Sequence, residues 1–535
     1  MKKHVLAFLC CVQFAFLSGI VGLSDLRAEN FELLTRSRAE TKKESGRFHT
    51  LTKKQSWDAQ KTAVIVCDMW DLHHCLNATR RGAEMAPRMN DILIEARKRG
   101  AIVIHAPSSC MKFYEKHPAR LRALKVAPST KLPEDIGKWC YKIPSEEQGT
   151  YPIDQSDGGE DDDPEEHAKW AEKLKKMGRN PRAPWKRQTE LLAIEDQDYI
   201  SDNGEEIWSI MEKRGIENVI MVGVHTNMCV LGRPFGLRQM SKNGKNVVLV
   251  RDMTDTMYNP GRRPFVSHFT GTDLIVEHIE KWVCPTVTSD QILGGETFRF
   301  KNDKRPHLVI VMAEREYKTN ETLPKFAAEH LGHAFTVSVV HANVDERNDL
   351  PGIEVLNDAD IALISVRRRV LPKDQMAVVR KFIESGKPVV GVRTANHAFS
   401  LRGKKPPENF DAWETWDADI FGGNYTGHHG KGPEVAIAMA KGADQHPVLS
   451  GVDLKKLKGF GSLYLCKPLA ESATGLLTGT IPGKDTEPVA WVANTKWGGR
   501  SFYTSIADPK DFDQPTQNRL LKNALFWAAG LEIDK

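Results

Sequence analysis

The sequence predicts an α/β protein of two doubly wound, three-layer αβα domains with mostly parallel sheets. One observation is length, because 535 residues exceed what a single hydrophobic core ordinarily organises. The other is an alternation of short apolar runs with segments of helical periodicity, which occurs once over residues 61–300 and again over 301–535. Strands separated by helices form parallel sheets with right-handed crossovers, as in Rossmann-like folds.

The first 28 residues have the pattern of a signal peptide. Lys2 and Lys3 precede a largely apolar run over residues 5–21, and Leu26-Arg27-Ala28 is a plausible cleavage segment. We therefore expect an exported protein, periplasmic or extracellular; the alternative is an uncleaved membrane anchor. Residues 29–60 are polar and basic with little periodicity, and we expect them to form an N-terminal arm.

Composition and charge exclude several classes of partner. The net charge of +5 falls to about +3 without residues 1–28, which gives no electrostatic reason to expect nucleic acid or an anionic membrane. An odd number of cysteines follows residue 28, so at least one is unpaired unless a bond forms between molecules, and no CxxC pair suggests structural zinc. We expect a small-molecule substrate, no cofactor, and self-association by analogy with related hydrolases.

The first alternating series is interrupted by a long insertion at about 108–189, rich in Lys, Pro and Trp. Its acidic run, residues 154–164, is either a calcium loop or a solvated acidic turn, and the turn is the simpler interpretation. Around the insertion the pattern predicts strands at 61–70, 101–106, 190–194, 219–224 and 246–250, and helices at 77–100, 204–215, 231–244 and 266–283. The second series predicts strands at 308–312, 361–366, 388–392 and 499–505, and helices at 320–331, 372–386 and 519–530.

Asp68 and Cys229 each follow a predicted strand of the first domain. The carboxyl ends of parallel strands lie at one sheet edge, where ligands bind in open α/β folds, so these two residues can converge. An acid beside a thiol can take its proton, and a helix N-terminus favours the thiolate. The alternatives are a helix-capping carboxylate and a small buried hydrophobe.

The segments Val64-Ile-Val-Cys-Asp68-Met-Trp-Asp71 and Gly223-Val-His-Thr-Asn-Met-Cys229-Val resemble the isochorismatase-like cysteine hydrolases, over residues 60–290. The resemblance implies a triad of Asp, Lys and Cys in which the thiolate attacks an amide or imide carbonyl. It implies that Asp68 is the base and Cys229 the nucleophile. It also implies a cis peptide at Val224–His225 that turns backbone N–H groups towards an oxyanion.

The lysine of that triad lacks a counterpart, because the family position falls on Glu195 or Asp196. The candidates are Lys186, reaching in from the insertion, and Arg233 as a substitute; otherwise the domain has drifted from amide hydrolysis. We expect the remaining pocket candidates at this edge to be Trp70, Asp71 and His105.

Histidines cluster near the same edge, at positions 73, 74 and 105. Asp71-Leu-His73 matches in letters the Asp-x-His metal motif of nicotinamidases, but it follows Asp68 too closely to match the family's placement. We interpret these residues as surface or core histidines and expect no metal.

The C-terminal half resembles the ThuA-like group of the class I glutamine-amidotransferase fold, through Gly386-Lys-Pro-Val-Val-Gly-Val-Arg393 and Gly499-Arg-Ser-Phe-Tyr-Thr-Ser505. Arg393 occupies the position of the amidotransferase nucleophile, and Ala507-Asp508 replaces the group's usual Gly-His. We therefore expect no glutaminase chemistry. A pocket around Arg393, His397, His428 and His429 could bind an anion or a sugar, and a scaffold domain is the alternative.

The sequence thus predicts an exported cysteine hydrolase acting on a small amide-type C–N bond, joined to a ThuA-like domain without glutaminase activity. Two alternatives stay open. One is a catalytically degenerate protein that binds a small carbohydrate or metabolite. The other is a metal-dependent hydrolase that uses Asp68, Asp71 and the histidines.

Overall fold

The computed structural model describes residues 29–534, so the predicted signal peptide lies outside the described residues. Two large sheets form the framework, one of eight strands and one of nine. Buried side chains form separate apolar clusters on the two faces of each sheet, which gives two three-layer units. The predicted fold class is confirmed.

The first sheet has the strand order β2-β1-β8-β7-β6-β3-β4-β5. All pairs from β8 to β5 are parallel, and β1 runs antiparallel to both of its neighbours. The strands are β1 (Phe31–Glu40), β2 (Phe48–Trp57), β3 (Thr62–Cys67), β4 (Ile102–Ala106), β5 (Tyr199–Ile200), β6 (Asn218–Val224), β7 (Asn246–Asp255) and β8 (Thr286–Val287). Because β3 and β6 are adjacent, the residues that follow them lie side by side.

Helices cover both faces of this sheet. They are α1 (Leu76–Arg99), α2 (Pro118–Leu124), α3 (Pro164–Lys176), α4 (Gly204–Arg214), α5 (Leu237–Lys242), α6 (His268–Trp282) and α7 (Asp290–Leu293). The long helix α1 presents Met85, Met89 and Ile92 to one apolar cluster. Gly100 ends it in the left-handed conformation (φ 99°), which glycine adopts without steric cost.

Residues 29–60 differ from the expected arm, because they form the antiparallel hairpin β1–β2. Phe31, Leu33 and Thr35 are buried and alternate with exposed residues, as in a strand with one covered face. Leu34 on the exposed face and Thr35 on the buried face break the alternation of apolar and polar residues, which hides the period of two in the sequence. The same arrangement extends the first sheet beyond β8.

Other predicted elements of the first unit are displaced. No strand forms at residues 190–194, and a two-residue strand at Tyr199–Ile200 takes the sheet edge instead. The helix predicted from residue 231 begins at Leu237, and a short π-helical turn, Thr226–Val230, follows β6 directly. Cys229 therefore lies in that turn and not in a regular helix.

The second sheet has the order β10-β9-β11-β13-β21-β20-β19-β16-β17, parallel from β10 to β21 and antiparallel beyond. The sequence pattern does not predict β10 or the antiparallel part. The strands of this sheet are β9 (His307–Ala313), β10 (Thr336–His341), β11 (Ile361–Val366), β13 (Val389–Val392), β16 (Val435–Met439), β17 (Lys458–Gly459), β19 (Thr474–Thr480), β20 (Glu487–Asn494) and β21 (Arg500–Thr504). Two separate two-stranded sheets pair β12 (Leu371–Pro372) with β14 (Phe410–Asp411) and β15 (Gly427–His428) with β18 (Tyr464–Leu465). The helices are α8 (Thr319–His330), α9 (Lys373–Glu384) and α10 (Pro515–Ala529).

The two units are in contact at several points. The carbonyl oxygen of Gly332 accepts hydrogen bonds from Ser267 N (3.1 Å) and Thr270 Oγ1 (2.6 Å). A Cβ atom at Gly352 would lie 2.2 Å from the carbonyl oxygen of Thr50, so glycine allows the hairpin to approach. Among residues 29–534 there is no helix with the length and apolarity needed to span a bilayer.

Candidate active site

The carboxyl edge of the first sheet brings Asp68 and Cys229 together. Asp68 comes directly after β3 and has a left-handed backbone (φ 46°), a strained conformation for a residue with a side chain. Cys229 lies in the turn after β6, the strand that pairs with β3. Asp68 is fully buried and Cys229 is 8% exposed. The predicted convergence of these residues at one sheet edge is what the structure shows.

Each oxygen of the Asp68 carboxylate has a partner. Oδ1 accepts a hydrogen bond from the backbone N–H of Ser108 (2.7 Å), and Oδ2 accepts one from Nε of Arg233 (3.0 Å). Burial raises the pKa of Asp68 above the ordinary value of a carboxyl, while Arg233 acts in the opposite direction. Each oxygen keeps a further lone pair, so the carboxylate can still accept a proton.

Arg233 is the cation of this site. Its backbone N–H donates to the carbonyl oxygen of Cys229 (3.0 Å), which places it one turn after the cysteine. Its guanidinium lies 5.3 Å from the ring centroid of Trp139, a cation–π contact from the insertion. Asp68 and Cys229 together raise the pKa of Arg233 against the effect of burial. A permanent positive charge therefore lies beside both the acid and the thiol.

The Cys229 thiol is protonated at neutral pH. Burial raises its pKa well above that of a free thiol, the charge of Asp68 raises it further, and Arg233 lowers it. Because Cys229 lies in a single π-helical turn, it is not at the N-terminus of a regular helix of the kind expected to favour the thiolate. The thiol must transfer its proton before it can attack.

Lys186 does not complete the triad. Its side chain is exposed and forms no ion pair with any residue the structure describes. Its backbone N–H donates to Oδ1 of Asp71 (3.1 Å), and Oδ2 of Asp71 pairs with Arg179 (2.9 Å). Asp71 therefore holds the end of the insertion in place, and the cation that contacts Asp68 is Arg233, which follows β6 and is not at the position that the resemblance assigns to lysine.

An aromatic group stands next to Asp68. Trp70 donates from Nε1 to the carbonyl oxygen of Ser108 (3.1 Å), the residue that also binds Asp68. Its ring stacks on Trp185 (centroids 4.5 Å apart) and on His73 (6.0 Å). The ring of His225 lies edge-on to His73 at 4.9 Å. The Val224–His225 peptide bond is cis, at the position that the resemblance implies.

His105 lies inside the sheet and not in a pocket. It is fully buried, with Nδ1 3.0 Å from Oε1 of Gln188 and Nε2 3.1 Å from Oδ2 of Asp198. Asp198 in turn pairs with Arg97 (2.7 Å). Because both ring nitrogens are occupied by protein partners, His105 has none left for a substrate.

The acidic run of the insertion has structural partners. Asp162 accepts from the backbone N–H groups of Leu76 and Asn77 at the start of α1 (both 2.7 Å). Asp161 pairs with Arg81 (2.8 Å), and Asp163 caps α3. These three carboxylates stabilise positive helix ends and an arginine, so this part of the run is not a freely solvated turn.

Within residues 29–534, two groups of side chains could each reach one metal ion: Cys75, Asp161 and Asp162, and Glu160, Asp162 and His167. Neither group contains Asp68, Asp71 or His73. Both Asp68 and Asp71 are bound by arginines instead. The geometry therefore gives no support to the metal-dependent alternative.

In the second unit, Arg393 lies directly after β13 with a left-handed backbone (φ 51°). Its side chain is 2% exposed, and the guanidinium carbon lies 4.5 and 4.4 Å from the rings of Tyr317 and Tyr464. Nη1 donates to the carbonyl oxygen of Ser505 (2.7 Å), and Nη2 to Oγ of Ser462 (3.1 Å). Arg393 is thus enclosed by protein groups at the place of an amidotransferase nucleophile.

The histidines expected around Arg393 are divided between interior and surface. His397 is buried and stacks on Tyr425 (4.3 Å), and burial together with nearby arginines lowers its pKa to about 2. His428 is exposed, and its Nδ1 lies 2.9 Å from the carbonyl oxygen of His429. Arg393, His397 and His428 nevertheless all lie beside the ring of Tyr464, at 4.4, 6.0 and 6.1 Å.

Sequence reasoning missed the residues that the insertion contributes to the first site. Ser108, Trp139 and Trp185 come from a stretch without periodicity, and each binds or stacks on a residue of the site. The abundance of tryptophan in an otherwise polar insertion was the available signal, because a large aromatic side chain in a loop requires a surface to cover.

Residues 307–528 match the family described as ThuA: Trehalose utilisation, so the resemblance of the C-terminal half is confirmed. No curated protein matches the chain. Among solved structures, a ThuA-like protein from Parabacteroides merdae is 15% identical, with a TM-score of 0.30, and the match covers 43% of this chain and 93% of that one.

Two further structures belong to the kind of protein that the N-terminal residues resemble. A cysteine hydrolase from Pseudomonas syringae pv. phaseolicola is 16% identical over 44% of this chain and 93% of its own, with a TM-score of 0.27. An isochorismatase family protein from Burkholderia thailandensis is 14% identical over 43% and 93%, with a TM-score of 0.24. At such identities a match carries no information on the substrate.

Proposed function

We propose that the first unit is a cysteine hydrolase that cleaves a small amide-type C–N bond. In this proposal Cys229 is the nucleophile, Asp68 the general base and acid, and Arg233 the cation that replaces the family lysine. The observation that carries the proposal is the 3.0 Å contact between Arg233 Nε and Asp68 Oδ2, beside a buried thiol at the carboxyl edge of a parallel sheet. A nucleophile, a base and a cation thus lie together at this edge.

The reaction follows from the protonation states. The thiol proton passes to the Asp68 carboxylate as Sγ bonds to the substrate carbonyl carbon. The C–N bond then breaks, and Asp68 returns the proton to the departing nitrogen, which leaves a thioester on Cys229. Water attacks the thioester while Asp68 accepts its proton; the acid departs, and the proton restores the thiol.

The role of Arg233 is electrostatic. Because an arginine stays protonated throughout, its charge stabilises the thiolate at the moment of proton transfer. The same charge keeps Asp68 ionised against the desolvation that raises its pKa. Arg233 therefore lowers the pKa of both the acid and the thiol, against the effect of burial.

The surroundings favour a small, flat and neutral substrate. Trp70, which stacks on Trp185, bonds Ser108, a partner of Asp68, and Trp139 lies against Arg233. Aromatic faces stabilise planar apolar groups, and among residues 29–534 no second positive side chain is bound to Asp68 that would select an anion. A small aromatic or cyclic amide fits these properties.

Export belongs to the same proposal, and it depends on residues 1–28 alone. The seven cysteines of the described part of the chain are all buried and unpaired, so none forms a disulfide there. N-terminal sequencing of the protein from the periplasm or medium of its host would test export. A mature protein beginning after Ala28 is expected, and retention in the cytoplasm would contradict it.

The decisive experiment measures ammonia or amine release from a panel of small aromatic and cyclic amides. Cys229→Ala should abolish turnover by the intact protein. Cys284→Ala is the matched control, because Cys284 lies in the same apolar cluster and is also 8% exposed. Equal activity of wild type and Cys229→Ala on any substrate would overturn the proposal.

A second candidate, a binding protein without turnover, is favoured by one observation: the raised pKa of Cys229 makes the resting thiol a poor nucleophile. Calorimetry with the same amides separates the two. Binding of an amide that is never hydrolysed, with equal affinity for wild type and Cys229→Ala, would support the binding protein.

A further inference from the structure

A second cavity lies at the carboxyl edge of the other sheet, far from the cysteine in sequence. It encloses about 150 Å³ where β9, β10 and β11 end, and the turn of the β1–β2 hairpin closes one side. Its ionisable lining comprises Arg47 from the hairpin and Glu314, Arg315, His341 and Arg369 from the second unit. We call this cavity the hairpin pocket.

Arg369 is the central feature of the hairpin pocket. It ends a run of three arginines, Arg367 to Arg369, directly after β11, and it is only 2% exposed. Nε donates to the carbonyl oxygen of Ala313 (2.8 Å), and no carboxylate lies within 4.0 Å of its guanidinium in the described part of the chain. Burial, with Arg347 and Arg315 nearby, lowers its pKa to about 10. A buried charge without a counter-ion is costly unless a ligand supplies one.

Arg315 faces the same space without a counter-ion. Its Nη2 donates to the carbonyl oxygen of Val344 (3.2 Å), and it forms no ion pair with residues 29–534. Arg47 has only a distant contact, with Nη1 4.0 Å from Glu321. The donors of these two guanidinium groups are therefore largely unused.

The one acid of the lining is engaged elsewhere. Oε2 of Glu314 accepts from the N–H groups of Glu316 and Tyr317, and Oε1 accepts from the N–H and hydroxyl of Thr319. Glu314 thus orders the loop before α8 and pairs with none of the three arginines. Burial lowers the pKa of His341 to about 4, so this histidine is neutral. Three arginines against one glutamate leave two positive charges in excess.

We propose that the hairpin pocket binds a tetrahedral oxyanion, phosphate or sulfate, free or as the end group of a larger ligand. A water molecule occupies about 30 Å³ in the liquid, so 150 Å³ admits one such anion with a few waters. Guanidinium groups present paired donors that match oxyanion oxygens. Open α/β sheets bind ligands at this edge. The site is independent of Cys229, and its ligand bridges the hairpin and the second unit.

Calorimetric titration of the intact protein with sodium phosphate, and separately with sodium sulfate, tests the proposal at ionic strength fixed by sodium chloride. We expect saturable binding of at least one anion, with a thermal midpoint that rises as it is added. Arg315→Gln and Arg369→Gln should each weaken binding by about tenfold or more. Arg315 is exposed, so its variant remains informative if Arg369→Gln does not fold.

Arg500→Gln is the matched control, because Arg500 is an exposed arginine of the same unit that bonds only a carbonyl oxygen and stacks on Trp527. It should bind as wild type does. No saturable binding of either anion, or unchanged affinity in both pocket variants, would overturn the proposal. Sodium acetate binding as tightly as phosphate and sulfate would also overturn it, because the pocket would then select carboxylates.

Discussion

Arg233 donates from Nε to Oδ2 of Asp68 across 3.0 Å, and so joins the residue after β3 to the turn after β6. The same arginine lowers the pKa of the Cys229 thiol, while Asp68 raises it. One ion pair therefore controls both the base and the nucleophile. The predictions for the first site follow from the opposite signs of these two effects.

Removing the charge of Arg233 should impair turnover more than folding. Arg233→Gln keeps a donor but loses the charge, so we expect kcat/KM for a small amide to fall by about 100-fold or more. Arg233→Lys keeps the positive charge, so it should retain part of the kcat/KM that Arg233→Gln loses. Arg120→Gln is the control, since Arg120 is also largely buried and pairs with Glu206 on α4. Full activity of Arg233→Gln would show that the cation has no part in the chemistry.

The rate at which iodoacetamide alkylates Cys229 reports how the charges of Asp68 and Arg233 shift the thiol pKa. Because the thiol pKa is raised, the rate should be low at pH 7 and increase with pH. Asp68→Asn removes a negative charge, so it should lower the thiol pKa and speed alkylation at each pH. Arg233→Gln should do the reverse. The site-specific rate is measured by peptide mass spectrometry, and shifts of the same sign in both variants would refute the assignment.

Lys186→Ala should leave the pKa of the Cys229 thiol unchanged. The side chain is exposed and has no partner among residues 29–534, whereas the backbone N–H of Lys186 donates to Asp71, a bond that the substitution keeps. We expect the pH profile of Cys229 alkylation and the turnover to match those of wild type within about twofold. A marked rise in the thiol pKa of this variant would return Lys186 to the triad.

Glu146 should make stability pH-dependent. Burial acts to raise its pKa, but His278 (2.8 Å) and Arg238 (2.8 Å) lower it to about 2. Since the folded-state pKa lies below the unfolded one, the stabilisation is complete above about pH 4.5 and is lost as pH falls towards 2. Glu146→Gln should therefore lose roughly 2–3 kcal/mol of unfolding free energy at pH 7 and less at pH 3.5.

Urea denaturation at the two pH values measures this effect. The control is Glu147→Gln, because Glu147 pairs with Lys142 at the surface, where both side chains are solvated. We expect it to change the unfolding free energy by under about 0.5 kcal/mol. An equal loss for Glu146→Gln at both pH values would show that the charge of Glu146 is not the cause.

The parts of the fold that could be predicted are those with strong periodicity. The apolar runs of β3, β6, β9 and β11 are buried on both faces, and such strands are continuous in sequence. The hairpin strands and β19 are only partly covered, so polar residues interrupt their pattern. Asp68 and Cys229 were predictable because each closely follows one of the strong strands.

The cation of the site could not be chosen from sequence alone. Lys186 and Arg233 are both near in the chain to predicted elements, and the choice depends on which side chain turns inward. That in turn depends on the path of an insertion without periodicity, which places Trp139 beneath Arg233. Loop conformations of this kind are determined by tertiary contacts and not by local propensity.

The N-terminal hairpin has a consequence for synthesis of the chain. Its strand β1 reaches the parallel sheet only through β8, and Arg36 pairs with Glu280, 244 residues further on. The ribosome releases the hairpin long before β8 and Glu280, which emerge only when most of the first unit has been made. Strand β1 therefore joins the parallel sheet late, after the chain around it has been synthesised.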